Sequence, residues 1–384
     1  MSPASSNRPT VAEIARAVEE WAPPASAQSY DNVGLQIGRP EREVARGLIA
    51  LDLTPRVVDE AVRDEADLVI THHPLLFRPL KSLSPTTLPG ALALRMAESG
   101  IALYSAHTNL DAAIGGVSFV LAAHLGLVDV GLLSPLEESL YKVVSFVPPD
   151  HLTGVREALA AAGAGQIGEY DACAFALEGS GFFRAGAAAK PFVGTAGGGI
   201  ERVMEARLEV EVARWKLDEV LSALRAAHPY EEVAYDVYPV LQPSTRVGLG
   251  AFGELSQPET LGSFLERVAD RLGTSSIRFV GDRSAVLRRI AVCGGAGADL
   301  VSAARRAGAH ALVTADVSYH RFFDVLDGTG AIRMALLDVG HYESEAPTEQ
   351  LLVDWLSERF PAVSWRRTAV RTSPVAVFVP GKEV

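Results

Sequence analysis

The sequence predicts an α/β fold in which two α/β segments form one core, interrupted by an inserted α+β domain. Three observations predict it. At both ends of the chain, short apolar runs rich in β-branched residues alternate with helical periods, the pattern of a parallel sheet with helices on its faces. Between them, the order strand-helix-strand-strand-helix-strand is that of a ferredoxin-like unit. That middle stretch begins and ends with a strand of its own, which suits an insertion whose two ends lie close together. The expected boundaries are residues 1–135 and 246–384 for the core and 136–245 for the insert.

In chain order, residues 11–21 have amphipathic helical spacing, stopped by Pro23-Pro24. Residues 30–38 read as a loop and short strand, and 47–52 as a strand. Residues 55–65 read as a helix, with Thr54 as N-cap and Pro55 in the first position. A strand at 66–71, a helix at 91–99, a strand at 101–105 and a helix at 117–125 complete the first segment. In the insert, strands are expected at 142–147, 206–212 and 234–238, helices at 151–162 and 216–227, and a glycine-rich region between the first helix and the second of these strands. After about residue 284 the alternation returns. Strands at 290–293, 311–314 and 334–339 are followed by helices at 299–307, 319–326 and 348–360.

Composition narrows the function. The chain has 384 residues, 48% of them hydrophobic, and a formal net charge of −12. An acidic surface argues against the phosphate backbone of nucleic acid as the main partner. No segment has the roughly 18 uninterrupted apolar residues of a membrane span, and the polar start lacks an apolar signal region. Cys173 and Cys293 are isolated, forming neither a disulfide framework nor a CxxC site. A cytoplasmic location is the expectation.

Three motifs carry the chemistry. His72-His73 follows one strand, His107-Thr108-Asn109-Leu110-Asp111 a second, and Gly340-His341-Tyr342-Glu343-Ser344-Glu345 a third. Each lies at the carboxyl end of an expected parallel strand, where open α/β sheets bind their ligands. Adjacent strand residues point to opposite faces, so His72 and His73 share a cleft only if the strand has already turned, and Pro74 supports that turn. Imidazole with carboxylate suits zinc, iron(II) or manganese and disfavours calcium. Five donors (His72, His73, Asp111, His341 and Glu345) are too many for one tetrahedral zinc with an open position. They suit two divalent ions that share a bridging carboxylate. Pro347 places Ser344 near a helix N-cap, with Glu345 in the first turn and His341 in the preceding loop. His107 is expected beside the ligands or facing substrate, and His320, at another strand end, as a second catalytic or supporting candidate.

These motifs, with Tyr30-Asp31-Asn32-Val33-Gly34-Leu35 and Thr71-His72-His73-Pro74-Leu75-Leu76-Phe77, make the chain resemble the dinuclear-metal-centre hexameric proteins, the GTP cyclohydrolase I type 2 homologues. The resemblance covers both α/β segments. It implies metal ligation by His72, His73, Asp111, His341 and Glu345, the last bridging, and a toroidal homohexamer whose sites face an internal cavity. Tyr30 stands where many relatives carry tryptophan, which bears on how a substrate stacks there; Tyr30, Asp31 and Asn32 are the substrate-binding candidates. The middle segment resembles the PII-like insert of longer bacterial members through Gly168-Glu169-Tyr170-Asp171, Lys190-Pro191-Phe192-Val193-Gly194 and His228-Pro229-Tyr230-Glu231-Glu232.

Two weaker signals have bland competitors. Gly294-Gly295-Ala296-Gly297 has the place of a phosphate cradle but lacks P-loop and GxGxxG spacing, so a tight strand-to-helix turn is favoured. His228, at a helix end, is favourable to the helix dipole without any ligand. Three readings of function compete: a metal-dependent hydrolase of a small phosphorylated or heterocyclic, nucleotide-like substrate; a non-enzymatic metal-binding regulator or metallochaperone whose insert senses a ligand; and, more weakly, a nucleic-acid-associated protein, which the net acidity disfavours and Arg305-Arg306 and Arg366-Arg367 keep open.

Overall fold

The computed structural model describes residues 8–137 and 139–378. It divides into two compact units, Met1–Ser134 with Arg246–Val384, and Pro135–Thr245.

The larger unit holds two sheets. In the first, the strands run in the order Gly34–Ile37, Ala102–Ser105, Leu68–Thr71, Arg46–Ala50 and Ser364–Arg367. All neighbours are parallel except the first pair. Leu68–Thr71 and Ala102–Ser105 are buried at every position, so they read as continuous apolar runs without alternation. The edge strand Ser364–Arg367 comes from the far end of the chain, and its pairing with Arg46–Ala50 joins both α/β segments in one sheet. Helices Val11–Trp21 and Pro347–Arg359 pack on this sheet, with Ile14, Val18, Leu352 and Leu356 against Ile49, Ile70 and Tyr104. The first of these helices opens with a capping box between Thr10 and Glu13, which satisfies amide groups that have no partner within the helix.

The second sheet has the order Arg278–Val280, Ala335–Asp338, Ala311–Ala315, Val286–Ala296, Gly248–Thr260 and Leu127–Pro135. Its three parallel strands were expected; Gly248–Thr260, Leu127–Pro135 and the helix Leu261–Leu272 were not. The helix has a clear signal, Thr260 as N-cap and buried Leu261, Phe264, Leu265 and Val268, the spacing of one helical face. The segment expected as a helix after Ser318 is a 3-10 helix, Tyr319–Val325.

The smaller unit has one antiparallel sheet ordered Ala174–Phe183, Glu201–Ala213, Leu140–Val147 and Tyr235–Val240. Helices Leu152–Ala161 and Leu217–Ala227 connect the strands, and Val155, Leu159, Val220 and Leu224 share a core with Val143, Val147, Leu208 and Val210. In sequence numbers the strand order is 2-3-1-4, the ferredoxin-like arrangement. Ala174–Phe183 falls in the glycine-rich region and is largely exposed.

Candidate metal centre

The strand Leu68–Thr71 ends just before the two histidines, and the chain turns there. The Thr71 hydroxyl donates to the His73 carbonyl at 2.8 Å. The backbone amides of His72 and His73 donate to the carbonyls of Ala50 and Leu51. The turn brings the two rings to 5.0 Å between centroids instead of sending them to opposite faces. His107 begins the short helix Thr108–Ala112 after the neighbouring strand, with its ring 5.2 Å from His72 and 5.4 Å from His73.

His341 and Glu345 lie on one short helix, His341–Glu345, and not across a loop and a first turn as the sequence suggested. Pro347 is accommodated because it opens a separate helix, Pro347–Arg359, where its missing N–H has no partner to lose. Gly340 precedes His341 with φ +95°, a backbone conformation that favours glycine. The four-residue spacing aims both donors the same way, with His341 Nε2 3.1 Å from Glu345 Oε2.

Every histidine of the cluster is held by its outer nitrogen. His72 Nδ1 donates to the Ala106 carbonyl at 2.8 Å. His73 Nδ1 donates to Asp52 at 2.7 Å, His107 Nδ1 to Asp31 at 2.8 Å, and His341 Nδ1 to Asp316 at 2.8 Å. Such partners fix the tautomer and turn the other nitrogen's lone pair inward, the arrangement seen around metal-ligating imidazoles. Inward, the donors face one another. His73 Nε2 and His341 Nε2 are 3.2 Å apart, and each lies 3.1 Å from Glu345 Oε2. On the other side, His72 Nε2 lies 3.6 Å from Asp111 Oδ1 and 3.7 Å from Glu345 Oε1. His72 Nε2, Asp111 Oδ1 and Glu345 Oε2 are buried and make no hydrogen bond. Buried orphan acceptors are unfavourable. Lone pairs facing across about 3 Å require a cation or proton between them.

The electrostatics agree. Burial alone would raise the Glu345 pKa, but the imidazoles of His72, His341 and His73 outweigh it and hold the carboxylate well below its ordinary range. Burial drives Asp111 up to about 7, with Glu345 adding to the effect and His72 and His73 opposing it. Burial also opposes a charge on His73, yet its contacts to Asp52 and Glu345 win and raise it to about 10. The close approach of the Glu345 carboxylate raises His341 to about 9 against the pull of burial. Without an ion, protons occupy positions that a cation would take.

The structure thus gathers His72, His73, His107, Asp111, His341 and Glu345. Sets of three among them, His72 with His73 and His107, and His73 with His341 and Glu345, are close enough to hold an ion. His107 stands among the inward-facing donors and not only beside them. His320 is not brought in; it is exposed on the Tyr319–Val325 turn with its ring against Tyr319. Asp31, a substrate-binding candidate from the sequence, has its side chain buried and engaged by His107 and by the amide and hydroxyl of Thr108. Asn32 holds the Leu76 carbonyl at 2.6 Å. Tyr30 is exposed and meets Phe77 edge-on at 6.2 Å, and Phe77 in turn meets His107 at 6.2 Å. Sequence reasoning missed Asp52, although a carboxylate directly after a buried strand was its signal. The glycine run also has its explanation here: a Cβ on Gly295, at φ +61°, would lie 2.1 Å from Glu345 Oε1. The run makes room for the carboxylate.

Residues 9–374 match the Duf34/NIF3 (NGG1p interacting factor 3) family. A protein of Mycobacterium leprae named GTP cyclohydrolase 1 type 2 homolog is 41% identical over 369 residues, 95% of this chain and 94% of its own length. A Bacillus subtilis protein of the same name is 40% identical over 338 residues, covering 88% and 89%. The crystal structure of a Bacillus cereus protein related to NIF3 superposes with a TM-score of 0.80 at 39% identity, covering 97% of this chain and all of that one.

Proposed function

The chain belongs to the Duf34/NIF3 family, and on that premise we propose that it binds two divalent cations and hydrolyses a small phosphorylated or heterocyclic, nucleotide-like substrate. The observation that carries the reading is the convergence of inward nitrogens and buried, unpartnered carboxylate oxygens described above. The donor set fits the group. Ligands about 2.0–2.1 Å from a shared ion lie roughly 3–3.4 Å apart, close to the 3.1 and 3.2 Å separations among His73, His341 and Glu345. His73, His341 and Glu345 would hold one ion, and His72, Asp111 and Glu345 would hold the other, with His107 beside His72 and His73. Zinc, iron(II) and manganese all suit these donors. Such a pair of ions supplies Lewis-acid chemistry, acidifying water and stabilising charge on a displaced oxygen. The protein's share is to orient: Asp52, Asp31 and Asp316 fix three imidazoles, and the rings of Tyr30 and Phe77 beside His107 offer aromatic surface to a flat heterocycle.

The same reading takes the insert as PII-like, supported by its strand order and by the sequence resemblance. It takes the assembly as a toroidal homohexamer in the cytoplasm. Among the described residues, no helix is long and apolar enough to cross a membrane.

The test is elemental analysis with anomalous diffraction on natively purified protein, followed by hydrolysis assays of nucleotides and heterocyclic phosphates with zinc, iron(II) or manganese. Two ions per chain are expected, lost together with turnover in His73→Ala and Glu345→Ala. Metal-loaded protein with no turnover across the panel would reject the hydrolase. The regulator or metallochaperone reading draws support from the His341 side chain, 37% exposed, through which an ion can exchange with solvent. Fast exchange with a change of scattering profile on chelation would favour it.

A further inference from the structure

The smaller unit contains a cavity of its own, about 480 Å³, lined entirely by residues of that unit. This is the volume of a drug-sized ligand site. Two motifs legible in the sequence, with no part in the metal centre, meet there: Lys190-Pro191-Phe192-Val193-Gly194 and His228-Pro229-Tyr230-Glu231-Glu232. Phe146, Phe182, Phe183 and Phe192 give it aromatic walls. Glu205, Glu231 and Glu232 supply three carboxylates, and no lysine or arginine among the described residues lines it.

These side chains are held in place. His228 is satisfied locally, its Nε2 donating to the Phe146 carbonyl at 3.0 Å and its Nδ1 accepting the Tyr230 amide at 3.1 Å. It pins the loop that presents Tyr230 and the two following glutamates, so no ligand is needed to explain it. The Tyr230 hydroxyl donates to Glu205 Oε1 at 2.9 Å. Glu205 Oε2 lies over Gly181, where a Cβ would come within 2.0 Å of it. Glu231 Oε2 accepts the Lys190 amide at 2.7 Å, tying the two motifs together. The Phe192 ring lies 6.0 Å from that of Tyr230.

We propose that this cavity binds an amphipathic organic cation: an ammonium or amidinium group facing Glu205, Glu231 and Glu232, on an aromatic body seated among the phenylalanines. Carboxylates in an aromatic setting favour a cation through charge and through the faces of the rings. The same carboxylates repel phosphates, so nucleotides are excluded from this cavity. The proposal is independent of the metal centre.

The experiment is isothermal titration calorimetry of the full-length protein with tryptamine, its neutral alcohol analogue tryptophol, and the anion indole-3-propionate, with ATP as a further control. Tryptamine is expected to bind at least about tenfold more tightly than tryptophol, with no binding of indole-3-propionate or ATP. Glu205→Gln and Phe192→Ala should each weaken tryptamine about tenfold or more. Glu232→Gln, an exposed rim position, keeps the test usable should either of the other variants misfold, and should weaken binding severalfold with an unchanged melting temperature. Equal affinity for the three indoles overturns the proposal, as does tryptamine affinity unmoved by all three variants. Absence of tryptamine binding overturns it too, including the case in which scattering shows the cavity covered by a second copy of the chain.

Discussion

Replacing Asp52 with asparagine separates the orienting shell from the candidate ligands themselves. Asp52 accepts from His73 Nδ1 at 2.7 Å and from the Thr372 hydroxyl at 2.6 Å. Asparagine keeps an acceptor oxygen of the same reach and removes the charge. Outer partners of ligating histidines are worth about 10–100-fold in metal affinity. At metal concentrations far above Kd, this is about 1.4–2.7 kcal/mol of lost stabilisation. For a unit of this size, about 1 kcal/mol moves Tm by roughly 2–4 °C. The rise in Tm expected from zinc should therefore shrink by about 3–11 °C in Asp52→Asn. Comparing each protein with and without zinc cancels any effect of the Thr372 contact on the metal-free fold. Competition with a chromophoric chelator gives the affinity directly. A wild-type affinity and an undiminished zinc increment would refute the argument that His73 is oriented for an ion.

Three further outcomes follow from the same geometry. Gly295→Ala places a methyl group against Glu345 Oε1 and strains a left-handed residue; we expect about 1–3 kcal/mol of destabilisation by urea titration and loss of metal, and full metal content would contradict it. Glu349 is buried, and burial raises its pKa to about 7 although the Leu51 amide and Arg367 oppose the shift. Its folded pKa lies above its unfolded value of about 4.3, so the folded state binds the extra proton, and stability is lost as pH rises from there through 7. Glu349→Gln should thus gain stability relative to wild type between pH 5 and pH 8, on the order of 1–3 kcal/mol; parallel urea curves at the two pH values would count against it. His320→Ala, remote from the cluster, should retain wild-type metal content and melting temperature, and loss of metal by elemental analysis would return His320 to the site.

The parts of the fold legible in the sequence are those where burial is one-sided or complete. Leu68–Thr71 and Ala102–Ser105 are buried throughout, and Val11–Trp21 carries its amphipathic stripe in plain view. The candidate donors were legible because His72-His73, His107 through Asp111 and His341 through Glu345 all follow such strands. What was not legible depends on partners distant in sequence. Asp52 became meaningful only once folding placed it against His73. Ala174–Phe183 alternates poorly and buries little, so only its pairing with Glu201–Ala213 identifies it as a strand. The helix Leu261–Leu272 is the exception, since its periodicity was there to be read.

His73 and His341 stand face to face although 268 residues separate them along the chain. During synthesis the ribosome therefore releases His72, His73, His107 and Asp111 long before Glu345 exists. A nascent chain displays only part of the donor set until its last helical segments dock. The candidate donor set is thus completed late in biogenesis, and a prematurely terminated product carries an incomplete claw.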